Sequence, residues 1–135
     1  MWLPILGVLT VTVIRDADAR RSETPGGVMT TFASPTQGGA ARSFWRVDAR
    51  PGAAGPVHDF DREQIWSWVA GTATVELGGE RFAVAAGDTV VMPARTPRRV
   101  LAGPDAGYTA LVTAPAGARA STPEGGDAGV PPWIV

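Results

Sequence analysis

No stretch of this chain carries a helical period. Short runs rich in Val, Thr, Ile and aromatic residues recur instead at roughly eight- to twelve-residue spacing, the mark of many short strands. They are cut apart by 17 Gly and 12 Pro. Such punctuation predicts an all-β fold, a sandwich or a small antiparallel barrel. At 135 residues the chain is one domain, large enough to bury a core without covalent staples.

Strands are predicted over residues 28–33, 42–48, 57–60, 64–70, 72–77, 80–85, 89–92, 98–102 and 107–113. Gly78 and Gly79 form a two-residue hairpin between two of them. Within 42–48, alternation sets Phe44 and Arg46 on one face and Trp45 and Val47 on the other. Residues 15–27 are polar, end in Pro25-Gly26-Gly27 and read as a surface connection. The Ala/Gly/Pro-rich residues 116–135 read as irregular, with Trp133, Ile134 and Val135 docking on the body or on a partner subunit. The chain thus divides into an N-terminal strand and connection (1–27), a β-barrel (28–115) and a tail (116–135).

The first fourteen residues, MWLPILGVLTVTVI, are too short to span a bilayer as a helix. Ala17-Asp18-Ala19 fits a small-x-small cleavage site, yet no basic residue precedes the apolar run. Its β-branched end, residues 10–14, reads better as a first strand. An apolar run of this kind suits exchange between two subunits, so a homodimer is expected, in the cytoplasm and without membrane attachment.

Composition removes several function classes. There is no Cys, so neither disulfides nor thiolate metal sites are available. The net charge is −1, and no basic stripe with interleaved aromatics marks a nucleic-acid surface. All basic residues are Arg, which excludes Schiff-base chemistry and a phosphate-loop lysine. The partner that remains is a small molecule.

The most informative stretch runs from Gly52 to Gly71 and holds the only His in the chain, His58, together with Trp66 and Trp68. A second, from Gly87 to Ala102, reads as its structural counterpart and holds Gly87 and Pro93. Together they resemble the paired motifs of the cupin superfamily, jelly-roll β-barrels. The first cupin motif, G-x5-H-x-H-x3,4-E-x6-G, is matched at Gly52, His58 and Gly71. The second, G-x5-P-x-G-x2-H-x3-N, is matched at Gly87 and Pro93, with Arg95 and Ala102 at its later Gly and Asn.

The resemblance implies a small antiparallel jelly roll. In typical cupins two His and a Glu of the first motif and a His of the second hold a divalent metal. Those positions are His58, Phe60, Gln64 and Arg98 here. Phe has no lone pair to offer, an amide oxygen is a poor transition-metal ligand, and Arg stays protonated. No cofactor is therefore expected and a divalent metal is disfavoured. The one alternative set is His58 with Glu63 and Asp61.

In a barrel, inward-facing positions bring His58, Phe60, Gln64, Trp66, Trp68 and Arg98 to one cavity, with Trp45 joining from a neighbouring strand. Arg98 then offers charge-assisted hydrogen bonds to an oxyanion, and His58 exchanges a proton near neutral pH. Gln64 orients the imidazole or the substrate. Each residue also has a structural role open to it: His58 as a hydrogen-bonded remnant, the Trp residues as core, Arg98 as a partner of Glu76. Small cupins accompany aromatic polyketide pathways as cyclases, and the Arg-only, Ala-rich composition suits a high-GC bacterium.

Three readings follow. The first is a metal-independent or weakly metal-dependent, isomerase- or cyclase-like enzyme acting on an oxygen-rich, polyketide or aromatic substrate, with Arg98 stabilising an oxyanion and His58 moving a proton. The second is a binding protein that uses the same pocket. The third is a metal-dependent oxygenase with atypical ligands.

Overall fold

The structure, a computed structural model, describes residues 11–135. Strands dominate, in chain order β1 (Arg20–Thr24), β2 (Gly27–Ala33), β3 (Arg42–Ala49) and β4 (Asp59–Phe60). Next come β5 (Gln64–Leu77), β6 (Glu80–Ala85), β7 (Thr89–Met92) and β8 (Arg98–Ala102). The chain closes with β9 (Tyr108–Pro115), β10 (Ala120–Ser121) and β11 (Asp127–Gly129). Among the described residues the sole helical element is one 3-10 turn, Asp16–Asp18, and no helix is long and apolar enough to cross a membrane. The all-β prediction holds.

Every named strand pair is antiparallel. One layer runs β1-β2-β3-β9 and on to the first half of β5, whose other edge carries β7. The second half of β5 crosses over and pairs with β6 on one side and β8 on the other. Bridges from Ala54 to Leu101 and from His58 to Arg98 extend this second layer. Next to the His58 bridge, β4, β10 and β11 form a separate three-stranded sheet in the order β11-β10-β4. The curled sheet therefore has two faces turned toward each other, with the core between them.

The crossover strand was expected as two. It is one strand of 14 residues because its bend is local: a register shift between Trp68 and Ala70, then Gly71 with φ +75°. A Cβ on Gly71 would lie 2.0 Å from the Gly107 carbonyl oxygen, so the backbones approach too closely for any side chain. At the predicted hairpin, Leu77 faces Glu80 and both Gly78 and Gly79 have positive φ.

Alternation selects the core. Ser43, Trp45, Val47 and Ala49 of β3 are buried, while Phe44 and Arg42 are exposed. In β9 the inward set is Tyr108, Ala110, Val112 and Ala114, all buried. Ala110 sits directly opposite Trp68, a small residue against a large one.

Two segments depart from expectation. The connection 15–27 contains β1, an edge strand hydrogen-bonded to β2; its sequence Arg-Arg-Ser-Glu-Thr has no apolar alternation, so it hides among loops, and its charges suit a sheet edge. The tail 116–135 is not irregular throughout: β10 pairs with β4, and β11 pairs with β10. The tail end docks on the body. Ile134 is fully buried, and the main-chain oxygens of Trp133, Ile134 and Val135 accept hydrogen bonds from Thr31, Ser43 and Ser34 respectively. At the other end of the chain, the expected strand at 10–14 lies partly outside the described residues; residues 11–14 form no strand, and Ile14 packs over Gly38.

Candidate functional site

A cavity of about 330 Å³ lies between the two layers, a size typical of small-molecule sites. The first layer contributes Met29, Trp45, Val47, Gln64, Trp66 and Tyr108. Across from them stand His58, Phe60, Arg98 and Val100. The tail closes the space with Ala120, Ser121, Thr122 and the run Pro131-Pro132-Trp133.

His58 and Phe60 share a face of their extended segment, as predicted, with rings edge to face at 5.2 Å. The imidazole lies 2.9 Å by its Nδ1 from the Pro56 carbonyl oxygen. A carbonyl only accepts, so Nδ1 carries the proton and Nε2 of the neutral ring is a free acceptor. Burial lowers the His58 pKa below its ordinary value, and the Arg98 charge lowers it further; the Pro56 contact and Asp59 act in the opposite direction. A neutral base at neutral pH results.

Arg98 is 2 % exposed. Its Nε donates to the Thr96 carbonyl at 3.1 Å, and its Nη2 donates to Pro93 O at 2.9 Å and Thr96 O at 3.1 Å. The guanidinium carbon sits 5.7 Å from the centre of the Phe60 ring. Glu76 is not its partner, because that carboxylate is bound by Arg99 at 2.8 Å and Arg81 at 2.7 Å. The charge is therefore solvated by main-chain carbonyls and an aromatic face rather than by a carboxylate. Burial lowers its pKa to about 10, which leaves it protonated at neutral pH.

Gln64, 1 % exposed, accepts a hydrogen bond from Trp66 Nε1 at 3.0 Å. It therefore fixes the indole, not the imidazole. Trp66 and Trp68 do share a face and stack with ring centres 5.5 Å apart. They separate in role by depth: Trp66 lines the cavity, and Trp68 is buried behind it against Tyr108 at 6.0 Å. Trp45, from β3, lines the cavity from the same layer.

The donor set does not fit a metal. The four cupin ligand positions hold one imidazole, one phenyl ring, one amide engaged by Trp66 and one buried guanidinium. The alternative set does not assemble either: Asp61 accepts from the Arg119 main-chain N–H at 2.8 Å, and Glu63 is exposed. Among the described residues no three His, Asp or Glu side chains cluster.

Arg95, at the position of a glycine in the second motif, has φ +57° and is the one non-glycine residue with positive φ among those described. The loop thus keeps a left-handed turn without the residue that favours it. Its N–H donates to Phe60 O at 2.6 Å, tying the turn to β4.

Tyr108 and the tail residues were not anticipated as cavity lining. Period-two alternation in β9 would have marked Tyr108; nothing local marks Ser121 or Thr122, since their position depends on β10 pairing with β4, whereas Trp133 was expected to dock on the body but not to line the cavity.

The architecture is that of a jelly roll: a two-layer β-fold enclosing an aromatic-lined cavity, with a neutral imidazole beside a buried guanidinium. The Cupin domain family model matches residues 45–113, just over half of the chain, and the chain belongs to the cupin family. No curated protein matches it significantly in sequence. Among solved structures it is similar to oxalate decarboxylase from Bacillus subtilis, with TM-score 0.70 and 18 % identity over 81 % of this chain and 30 % of that one. It thus spans under a third of that protein. It is also similar to the polyketide cyclase RemF from Streptomyces resistomycificus, with TM-score 0.67 and 18 % identity over 78 % of this chain and 80 % of that one. KdgF from Halomonas sp. aligns with TM-score 0.64 and 23 % identity over 78 % of this chain and 94 % of that one. At these identities the likeness is one of fold.

Proposed function

We propose that this cupin is a metal-independent enzyme that moves a proton on an oxygen-rich small molecule, in an isomerisation or cyclisation of polyketide-like or aromatic substrates. The observation that carries the reading is His58: its Nδ1 is committed to Pro56 and its Nε2 is free, beside a buried cation. Nε2 removes a proton from carbon next to a carbonyl. The electron pair moves onto the carbonyl oxygen, whose negative charge Arg98 stabilises. The protonated ring then returns the proton at a second carbon, so no external oxidant or reductant is needed. Similarity of fold to a polyketide cyclase of comparable length favours this chemistry over that of the larger decarboxylase.

The test is deuterium uptake by aryl-substituted 1,3-dicarbonyl compounds, followed by proton NMR in heavy water. His58→Ala and Arg98→Ala are each expected to slow exchange by about 10²- to 10⁴-fold while strand signals in circular dichroism persist. Exchange at the wild-type rate in both variants refutes the assignment. Tight ligand binding with no exchange in any variant favours the second reading, a binding protein that uses the same cavity.

A homodimer belongs to the same proposal. The outer face of the first layer presents one cross-strand row, Phe44, Thr113, Ile65 and Val91, in which Phe44 is 40 % and Val91 53 % exposed. Sedimentation of Val91→Glu against wild type tests it: a lighter species is expected, and an unchanged one removes this row from the interface.

A further inference from the structure

Three side chains that line the cavity each hold a buried polar atom without a partner: Trp45 Nε1, Gln64 Nε2 and Arg98 Nη1. All three atoms are donors. The assignment for Gln64 is forced, because the indole N–H of Trp66 can only donate and so takes the amide oxygen, leaving the amide nitrogen over. No buried acceptor on a lining side chain is left unpartnered, and no Asp or Glu lines the cavity. Apart from His58 Nε2, which accepts, the unpartnered polar groups of the cavity are donors and ask for oxygens that accept.

Arg98 narrows the class of oxygen. A carboxylate is best held by two parallel N–H bonds from adjacent guanidinium nitrogens. Here Nε and Nη2 are engaged by the carbonyls of Thr96 and Pro93, which leaves Nη1 alone. One nitrogen suits one ionised oxygen. We infer that the cavity takes a planar, oxygen-rich ligand presenting a single oxyanion to Arg98, a phenolate or an enolate rather than a carboxylate, with further carbonyl or hydroxyl oxygens accepting from Gln64 and Trp45. The aromatic lining of Trp45, Phe60 and Trp66 matches such a ring system. The inference rests on the proposed role of Arg98 as an oxyanion holder but requires no turnover.

The probes are 2-naphthol and 2-naphthoic acid, rings of one shape that differ in the acidic group. Free naphthol is neutral at neutral pH, and its anion absorbs at longer wavelength. Wild-type protein is expected to bind naphthol with the anion band appearing at neutral pH, and to bind naphthoate at least about tenfold more weakly. Arg98→Met is expected to lose the band. If that variant does not fold, Gln64→Glu serves: it keeps an oxygen for Trp66, replaces the free donor by negative charge, and is expected to weaken naphthol by at least about tenfold. Naphthoate binding as tightly as naphthol, naphthol binding without its anion band, or no binding of either probe overturns the ligand class. Deuterium exchange at the wild-type rate in His58→Ala and Arg98→Ala, with naphthol still bound as its anion by the wild-type protein, refutes the proton-transfer reading and leaves this inference standing, so the two claims fail separately.

Discussion

His58 and Arg98 stand directly opposite each other, joined by a reciprocal pair of main-chain hydrogen bonds: His58 N–H to Arg98 O at 3.1 Å, and Arg98 N–H to His58 O at 2.8 Å. Opposed residues of an antiparallel pair project to the same face. The imidazole and the guanidinium are therefore brought into one cavity by the backbone, and the imidazole feels the guanidinium's charge.

The first prediction concerns that coupling. Burial and the Arg98 charge hold the His58 pKa below the ordinary 6.5. Replacing Arg98 by Met removes the second cause, so the His58 ring is expected to titrate at higher pH than in wild type, read from its proton NMR signals. A titration unchanged by the substitution separates the two groups electrostatically.

Stability should follow the same group. Because the folded protein holds His58 less basic than the unfolded chain does, the unfolded chain takes up its proton first as pH falls. Stability is thus full above 6.5, declines as pH drops through that value, and levels off below the folded-state pKa. Glu76, held low by Arg99 and Arg81, and Asp127, held low by Arg119 and the Gly129 N–H, lose their contributions only further down, in the carboxylate range. Thermal melts between neutral pH and pH 5 should show a decline in wild type that His58→Gln lacks.

Arg95 offers a stabilising substitution. A side chain in the left-handed region is strained, and Gly is not. Its hydrogen bond to Phe60 O uses the main-chain N–H and survives the change. Arg95→Gly is expected to raise stability by about 0.5 to 1 kcal/mol in urea denaturation, after the greater freedom of unfolded Gly is discounted. A net loss would show that the exposed guanidinium makes a compensating contact.

Gly71→Ala should do the reverse. The added carbon meets the Gly107 carbonyl oxygen and the Tyr108 Cα, both main chain, at a residue with positive φ. A cost on the order of 3 to 4 kcal/mol is expected from overpacking and strain together. Denaturation midpoints of the variant, where it can be purified, measure it.

The tail is the remaining test. Ile134 is fully buried, and its main-chain oxygen accepts from the buried Ser43. Ile134→Ala is expected to release the tail, because the apolar anchor accounts for a cost of about 2 to 4 kcal/mol that local detachment can relieve. Limited proteolysis should then cut within residues 116–135, and ligand affinity should fall as Trp133 leaves the cavity. Proteolytic resistance equal to wild type contradicts this arrangement.

What the sequence determined by itself was everything governed by short-range rules. Period-two alternation marked Trp45 and Val47 as inward, the Gly pair marked the hairpin, and the spacing of Gly52, His58, Gly71, Gly87 and Pro93 marked the family. Alternation also placed His58 with Phe60 and Trp66 with Trp68. It did not distinguish depth along the strand, so Trp68 looked equivalent to Trp66 until the bulge and the packing of Tyr108 put it behind the cavity.

Only the tertiary structure decided which hydrogen-bonding groups are already engaged. The sequence shows that Arg98 and Gln64 are polar, but whether their donors are free depends on carbonyls and rings delivered by other turns and strands. Thr96 and Pro93 take two nitrogens of Arg98, and Trp66 takes the oxygen of Gln64. The same holds for the tail, whose short strands carry no local pattern and exist because β4 leaves an edge for β10 to complete. Local periodicity is written in neighbouring residues; the pairing of distant polar groups arises when the layers close.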